Sequence, residues 1–176
     1  MKTMVISYSF TGNNADLAAT LAATLGAEHV KITEPKPRTM GKIAWDIVLK
    51  RTPKIIMPVE ETEEVDLVLF VGPVWMGHVA TPFRACFEQL GQRIDRYAFL
   101  SISGGADGPN PNLADELEKR LGKEPACLMD LHIADLLPPE PRPTREVTMA
   151  YRINEREVKH LADTIVEHLN NTILVQ

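Results

Sequence analysis

The chain has 176 residues, of which 44% are hydrophobic and 24% charged, and its formal net charge is −5. This length and composition are typical of one globular domain over residues 1–176 and exclude a disordered chain. The acidic balance argues against nucleic acid as a partner. No apolar run approaches the roughly 20 residues that span a bilayer, and no signal segment follows Met1. We therefore expect a cytoplasmic protein with no membrane partner.

Neither the cysteines nor the histidines predict a metal or redox centre. Cys86 and Cys127 lie far apart in apolar surroundings, without a C-x-x-C motif or a histidine nearby in sequence. They are interpreted as small core residues. The five histidines show no metal-ligand spacing, so no metal site is predicted.

Apolar runs and helical stripes alternate along the chain, which predicts an α/β fold. The expected strands are residues 4–7, 28–32, 65–71, 97–103 and 126–133. The expected helices are residues 13–25, 39–51, 81–90, 111–121 and 154–169, with Thr81 capping the third and Pro82 as its first residue. Residues 60–64 read as an acidic surface connection and residues 136–143 as a stiff proline-rich loop. Strands each followed by a helix predict a three-layer α/β/α sandwich with a five-stranded parallel sheet.

A polar loop between the first strand and the first helix predicts a phosphate site. Helix N-termini present unpaired N–H groups and a partial positive charge, and serine and threonine hydroxyls add donors. The loop lacks a Walker ending and the three spaced glycines of a dinucleotide fold, so nucleotide hydrolysis is disfavoured. A plain helix cap and turn is the alternative interpretation. Its residues are Ser9, Phe10, Thr11, Gly12, Asn13 and Asn14.

Two more loops follow the third and fourth strands, at the sheet edge where open parallel sheets bind ligands. One offers an aromatic face for a planar ring; it contains Pro73, Val74, Trp75, Met76 and Gly77. The other has so little side-chain bulk that its backbone can approach a ligand closely; it contains Ser103, Gly104 and Gly105. Nearby, His78 reads as a solvated loop residue, with donation to a quinone oxygen as the alternative, and Asp107 reads as a turn residue. No catalytic acid or base is predicted.

The chain resembles the flavodoxin-like FMN-binding proteins over essentially its full length. Their phosphate loop has the form Ser/Thr-x-Thr-Gly-Asn-Thr, which this sequence matches at Ser9, Thr11, Gly12 and Asn13. The last position is Asn14, whose amide can still donate a hydrogen bond, so we expect binding to survive. The resemblance implies the strand order 2-1-3-4-5. It also implies FMN, with its 5'-phosphate in the first loop and its isoalloxazine between the other two.

Three functions are compatible with this resemblance. The favoured one is a flavodoxin-type electron carrier that serves a redox partner protein. The alternative is an NAD(P)H-dependent quinone or FMN reductase that serves a small-molecule acceptor. The third is a flavin-free interaction module, against which the intact phosphate loop argues. The sequence leaves the choice between monomer and homodimer open.

Overall fold

The computed structural model describes residues 1–58, 65–91 and 93–174. The acidic connection expected at residues 60–64 lies outside this part of the chain. The strands are β1 (Thr3–Ser7), β2 (Glu28–Lys31), β3 (Leu67–Val71), β4 (Val74–Trp75), β5 (His78–Val79), β6 (Tyr97–Ser103) and β7 (Cys127–His132). The helices are α1 (Asn13–Leu25), α2 (Met40–Val48), α3 (Pro82–Leu90), α4 (Leu113–Leu121), α5 (Arg145–Ala150) and α6 (Glu155–Leu169). A 3₁₀ turn covers Ile133–Leu136, and a π-helical turn covers Asn170–Leu174.

The central sheet has the order β2-β1-β3-β6-β7, and every neighbouring pair of strands is parallel. Counting only these strands in chain order, this is the predicted 2-1-3-4-5 arrangement. β4 and β5 form a separate antiparallel hairpin. The predicted α/β fold class and strand order are therefore confirmed.

Alternate residues of the strands feed two hydrophobic cores on opposite faces of the sheet. On one face, Phe70 of β3 packs edge-to-face against Phe83 and Phe87 of α3. On the other face, Leu69 belongs to the cluster that includes Leu17 of α1. Because the central strands are buried on both sides, their sequences are nearly continuous apolar runs.

β6 extends past the end of β3 at the carboxyl edge of the sheet. Its pairing with β3 stops at Leu100, which lies opposite Val71, whereas its pairing with β7 continues to Ser103. On the β3 side, the last residues of β6 must therefore find other hydrogen-bond partners. The loops that meet at this edge supply them.

The predicted cap of α3 is wrong. Pro82 does begin the helix, but Thr81 has helical dihedrals and its side chain makes no capping hydrogen bond. Thr81 is fully buried, and its hydroxyl has no partner among the described residues. The helix therefore begins without a side-chain cap.

Two short elements were not predicted. The β4–β5 hairpin forms within the loop after β3, and α5 follows the proline-rich segment, with Thr144 accepting a hydrogen bond from the Val147 N–H at its start. No helix in the described ranges has the length and apolar character needed to cross a bilayer.

Candidate functional site

The first loop turns from β1 into α1 at Gly12. Gly12 has φ 107°, a conformation that favours glycine. The Ser9 hydroxyl accepts a hydrogen bond from the Gly12 N–H at 3.0 Å. The Gly12 carbonyl in turn accepts from the N–H groups of Ala15 and Asp16 at 2.8 and 3.0 Å. The loop is thus closed by its own groups before the helix begins.

Several donors of this loop remain available. In the part of the chain that the structure describes, the backbone N–H groups of Thr11, Asn13 and Asn14 have no protein acceptor, and neither has the Thr11 hydroxyl. They stand at the N-terminus of the 13-residue helix α1, where its dipole adds partial positive charge. Ser9, Thr11 and Gly12 are only partly buried, so an anion can reach them. The arrangement is a donor set for an oxyanion.

The side chains of Asn13 and Asn14 bond the first loop to other parts of the chain. The Asn14 amide donates to the Ile102 carbonyl at 2.9 Å and accepts from the Ile102 N–H at 2.9 Å. The Asn13 amide donates to the Tyr151 carbonyl at 3.1 Å and accepts from the Ile153 N–H at 3.3 Å. Both asparagines are buried. They fasten the loop to β6 on one side and to the chain before α6 on the other.

Trp75, in the second loop, lies against the first loop. Phe10 meets its ring edge-to-face at 6.1 Å, and Tyr8, at the end of β1, does so at 5.8 Å. The Arg38 guanidinium lies 5.7 Å from the ring centroid, a cation–π distance. The indole is half-buried. Three neighbours thus fix its orientation and leave part of its surface open.

The tip of the β4–β5 hairpin is a tight turn with positive φ at both central residues. Met76 has φ 51° and Gly77 has φ 78°, which is the pattern of a type I′ turn. Glycine adopts this conformation freely, but methionine does so at a cost of about 1–2 kcal/mol. Met76 is also 72% exposed, so packing does not repay that cost. Locally unfavourable residues of this kind are concentrated at functional sites.

The glycines in the third loop are required by protein packing. A Cβ on Gly104 would lie 2.9 Å from Thr148 Oγ1, and a Cβ on Gly105 would lie 2.4 Å from the His132 side chain. The approach of α5 and of the end of β7 therefore leaves no room for a side chain at either position. Ser103, which ends β6, keeps a buried hydroxyl with no partner among the described residues.

His78 and Asp107, near these loops, each have a partner. His78 Nδ1 lies 3.2 Å from Glu116 and is exposed. Asp107 accepts a hydrogen bond from Arg145 at 2.7 Å, which lowers the pKa of its carboxyl. Among the described residues, no group of His, Cys, Asp or Glu side chains is arranged to hold a metal ion.

Sequence reasoning missed three parts of this site. Tyr8 follows directly on the apolar run of β1, and Arg38 lies 37 positions before Trp75 in the chain, so no local pattern links either to the tryptophan. α5 places Thr148 against Gly104. Its N-terminal signal, a threonine cap after Pro143, was readable but stood inside a segment dominated by prolines.

Solved structures similar to this chain were found by comparison of the folds. One is a flavoprotein in complex with FMN from Lactobacillus acidophilus, at 18% identity and TM-score 0.65, covering 73% of this chain and 92% of that chain. A proposed flavoprotein from Bacteroides eggerthii has 19% identity and TM-score 0.65, with 94% and 98% covered. Another, from Bacteroides uniformis, has 17% identity and TM-score 0.63, with 92% and 97% covered. No family model and no curated protein matches the sequence.

The strand order and these similarities agree. The chain has a flavodoxin-like fold. In flavodoxin-like folds the ligand site lies at the point where the strand order reverses, between β1 and β3. The loops that follow these two strands are in contact here through Phe10 and Trp75. The third loop joins them because Asn14 bonds to Ile102, immediately before Ser103.

Proposed function

We propose that this protein is an FMN-binding redox protein that transfers electrons in the manner of flavodoxins. The observation that carries the proposal is the placement of unpaired N–H donors beside an aromatic ring at the switch point of the sheet. Thr11, Asn13 and Asn14 provide the donors, and Trp75 provides the ring. The FMN complex of the similar flavoprotein from Lactobacillus acidophilus supports the choice of ligand.

The residues present fit FMN by the chemistry of their donors. No lysine or arginine occurs between Ser7 and Leu25, so the phosphate would be held by backbone N–H groups, the Thr11 hydroxyl and the dipole of α1. The half-buried indole of Trp75 would hold the ring by stacking. The unpaired Ser103 hydroxyl would offer a hydrogen bond to a polar edge of the ring. The remaining residues of the second and third loops would flank the bound ring: Pro73, Val74, Met76, Gly77, Gly104 and Gly105.

Bound FMN would supply the redox chemistry, and the chain would orient it and set its surroundings. Tyr8, Phe10 and Arg38 hold the Trp75 ring in place. The Met76–Gly77 peptide, at the exposed hairpin tip, would present a backbone group to the ring, and Gly77 would let that peptide change orientation. The exposed tip suits electron transfer to a partner protein.

A reductase is the second candidate, and one pair of residues favours it. His132 packs against Gly105 of the third loop, and its Nε2 lies 3.3 Å from Asp130. An imidazole oriented by a carboxylate can hold and deliver a proton, which a quinone acceptor needs and a simple electron carrier does not. This candidate predicts NAD(P)H-dependent quinone reduction that falls when His132 is replaced by glutamine.

Two measurements test these proposals. Purified protein titrated with FMN should quench the flavin fluorescence and give a saturable signal in calorimetry. Protein that is colourless and ignores added FMN would overturn both candidates. With FMN bound, slow NADPH oxidation combined with rapid reduction by a donor protein supports the carrier, whereas fast NADPH oxidation with a quinone supports the reductase.

A further inference from the structure

Helix α2 buries its acidic residue and exposes several apolar ones. Asp46 is buried together with Ile43 on the inner side. Trp45 is 57% and Val48 70% exposed, and Met40 at the start of the helix and Leu49 just after it are about half exposed as well. A surface helix normally has the opposite arrangement. Single exposed apolar residues are ordinary, but several together indicate an interaction surface. We call the exposed side chains of Met40, Trp45, Val48 and Leu49 the apolar ridge.

Buried ionic contacts fix this orientation of α2. Arg38 donates to Asp46 and to Glu34, at 2.7 Å in each case. Arg84 donates to the backbone carbonyls of Asp46 and Arg51 at 3.2 and 3.1 Å. Turning the apolar side inward would leave Arg38 and Glu34 without a full set of partners, at a cost of several kcal/mol. The exposure of the ridge is therefore built into the packing.

The ridge is surrounded by positive charge. Lys36, Lys42, Lys50, Arg51 and Lys54 are all exposed, and none forms an ion pair within the described residues. Between residues 35 and 58 the sequence has a single acidic residue, and it is the buried Asp46. Four of the cations, all except Lys50, line a cavity of about 430 Å³ beside the helix. Glu34 and Asp46 line it as well, and both carboxylates are paired with Arg38. A protein with net charge −5 thus places unpaired cations beside this apolar ridge.

We propose that this ridge and its cation-lined cavity dock on an anionic lipid bilayer. Both features fit that occupant, because the apolar side chains would enter the headgroup–acyl boundary while the cavity takes up lipid phosphates. A second copy of the chain would cover the ridge but would bring five cations against the same five. A free phosphate would fill the cavity and leave the ridge uncovered. A bilayer also conforms to a convex helix, whereas a protein partner would need a matching groove.

This inference departs from the expectation that the protein has no membrane partner. That expectation rested on the absence of a spanning segment and on the net charge. Docking at a surface needs no spanning segment, and charges act mainly within a Debye length of about 8 Å at physiological salt. The exposed cations beside the ridge therefore act on a nearby bilayer more strongly than distant acidic residues do.

Sedimentation with vesicles tests the proposal. Full-length protein should sediment with vesicles of phosphatidylcholine containing roughly 30% phosphatidylglycerol and should stay in solution with phosphatidylcholine alone. The double variant Lys42→Gln/Lys54→Gln should bind about 25-fold more weakly, because each cation near an anionic surface contributes about 1 kcal/mol. The double variant Trp45→Gln/Val48→Gln should bind these vesicles at least about tenfold more weakly, because its apolar side chains no longer enter the bilayer.

Matched controls lie on other exposed surfaces. Lys119 and Val147 are exposed outside this region, and Lys119→Gln and Val147→Gln should leave vesicle binding within about twofold. FMN titration of all these variants should match the unchanged chain, so a failure here is distinguishable from a failure of the flavin proposal. Equal sedimentation of all variants, or none with anionic vesicles, would overturn the inference. A dimer in solution that Trp45→Gln/Val48→Gln dissociates would assign the ridge to a second copy instead.

Discussion

The side chain of Asn14 occupies the place of a missing strand beside Ile102. β3 ends before it reaches this residue, and the Asn14 amide bonds to both its N–H and its carbonyl at 2.9 Å. A single side chain thus continues the ladder of the sheet and positions the first loop. The flavodoxin-like family has threonine at this position, where one hydroxyl oxygen on a shorter side chain would have to serve both groups of Ile102 that two separate amide atoms bond here.

Asn14→Thr should therefore destabilise the protein. Two buried backbone groups would lose their partners, and we expect a fall of about 2–4 kcal/mol in the free energy of unfolding, measured by urea denaturation. The matched control is Asn112→Thr, since the Asn112 side chain is exposed and makes no capping bond. If Asn14→Thr is as stable as the unchanged chain, the two hydrogen bonds between Asn14 and Ile102 contribute nothing to stability.

Thr11→Asp should abolish tight FMN binding. The new carboxylate would face the phosphate dianion in a loop with no lysine or arginine to offset it, and we expect the dissociation constant to rise at least about a hundredfold. Flavin fluorescence titration measures the change. Ala19→Asp adds the same charge on the exposed side of α1 and should alter the constant by less than about threefold. Equal constants for the two variants would refute the assigned phosphate site.

Substitutions at the hairpin tip should change the free energy of unfolding and, at Gly77, the midpoint potentials of bound FMN. Gly77→Ala forces a side chain to φ 78° and should lower the free energy of unfolding by about 1 kcal/mol. It should also shift the midpoint potentials of bound FMN in a redox titration, because the neighbouring peptide can no longer reorient. Met76→Asn should instead stabilise the turn by about 0.5–1 kcal/mol, since asparagine tolerates positive φ. Potentials identical to those of the unchanged chain in Gly77→Ala would count against a role for this peptide.

Acid should weaken the fold through His29. Burial lowers the pKa of this imidazole below its usual 6.5, and the charge of Lys31 lowers it further. The unfolded chain therefore takes up this proton first, and stability is lost as the pH falls below about 6.5 towards the folded-state pKa. Urea denaturation at several pH values should show a shallower decline in His29→Gln. His160→Gln, on an exposed face of α6, should keep the full decline.

Arg38→Met should be among the most destabilising single changes. It leaves the buried carboxylates of Glu34 and Asp46 without their shared cation, which costs about 3–5 kcal/mol. Thermal unfolding measures the loss, and Lys36→Met, in which the lysine is exposed, is the control. A melting temperature equal to that of the control would show that water already compensates these carboxylates.

The strands and helices of this fold could be predicted because their periodicity is local. β6 has the predicted bounds, Tyr97–Ser103, and α1 has the predicted bounds, Asn13–Leu25, ending at a left-handed Gly26. The cap at Thr81 could not be predicted, because a threonine before Pro82 looks the same whether its hydroxyl caps the helix or is buried beneath it.

The candidate site was predictable in position but not in its internal contacts. The three loops were recognisable from their residue types and their places after predicted strands, whereas the partners of Asn13 lie 138 and 140 residues away. No sequence pattern encodes such a contact. The packing that the glycines of the third loop allow could not be predicted either, because Thr148 and His132 come from elements far along the chain.

The tether from Asn13 to Tyr151 and Ile153 has a consequence for biosynthesis. A ribosome releases the loop of α1 early, but the residues that hold this loop emerge only near the end of translation. Long-range contacts of this kind form late, since closing such a span of chain is entropically slow. FMN would then bind only after translation is complete. An N-terminal fragment ending before Tyr151 would contain all of the first loop, residues 9–14, and would still not retain FMN.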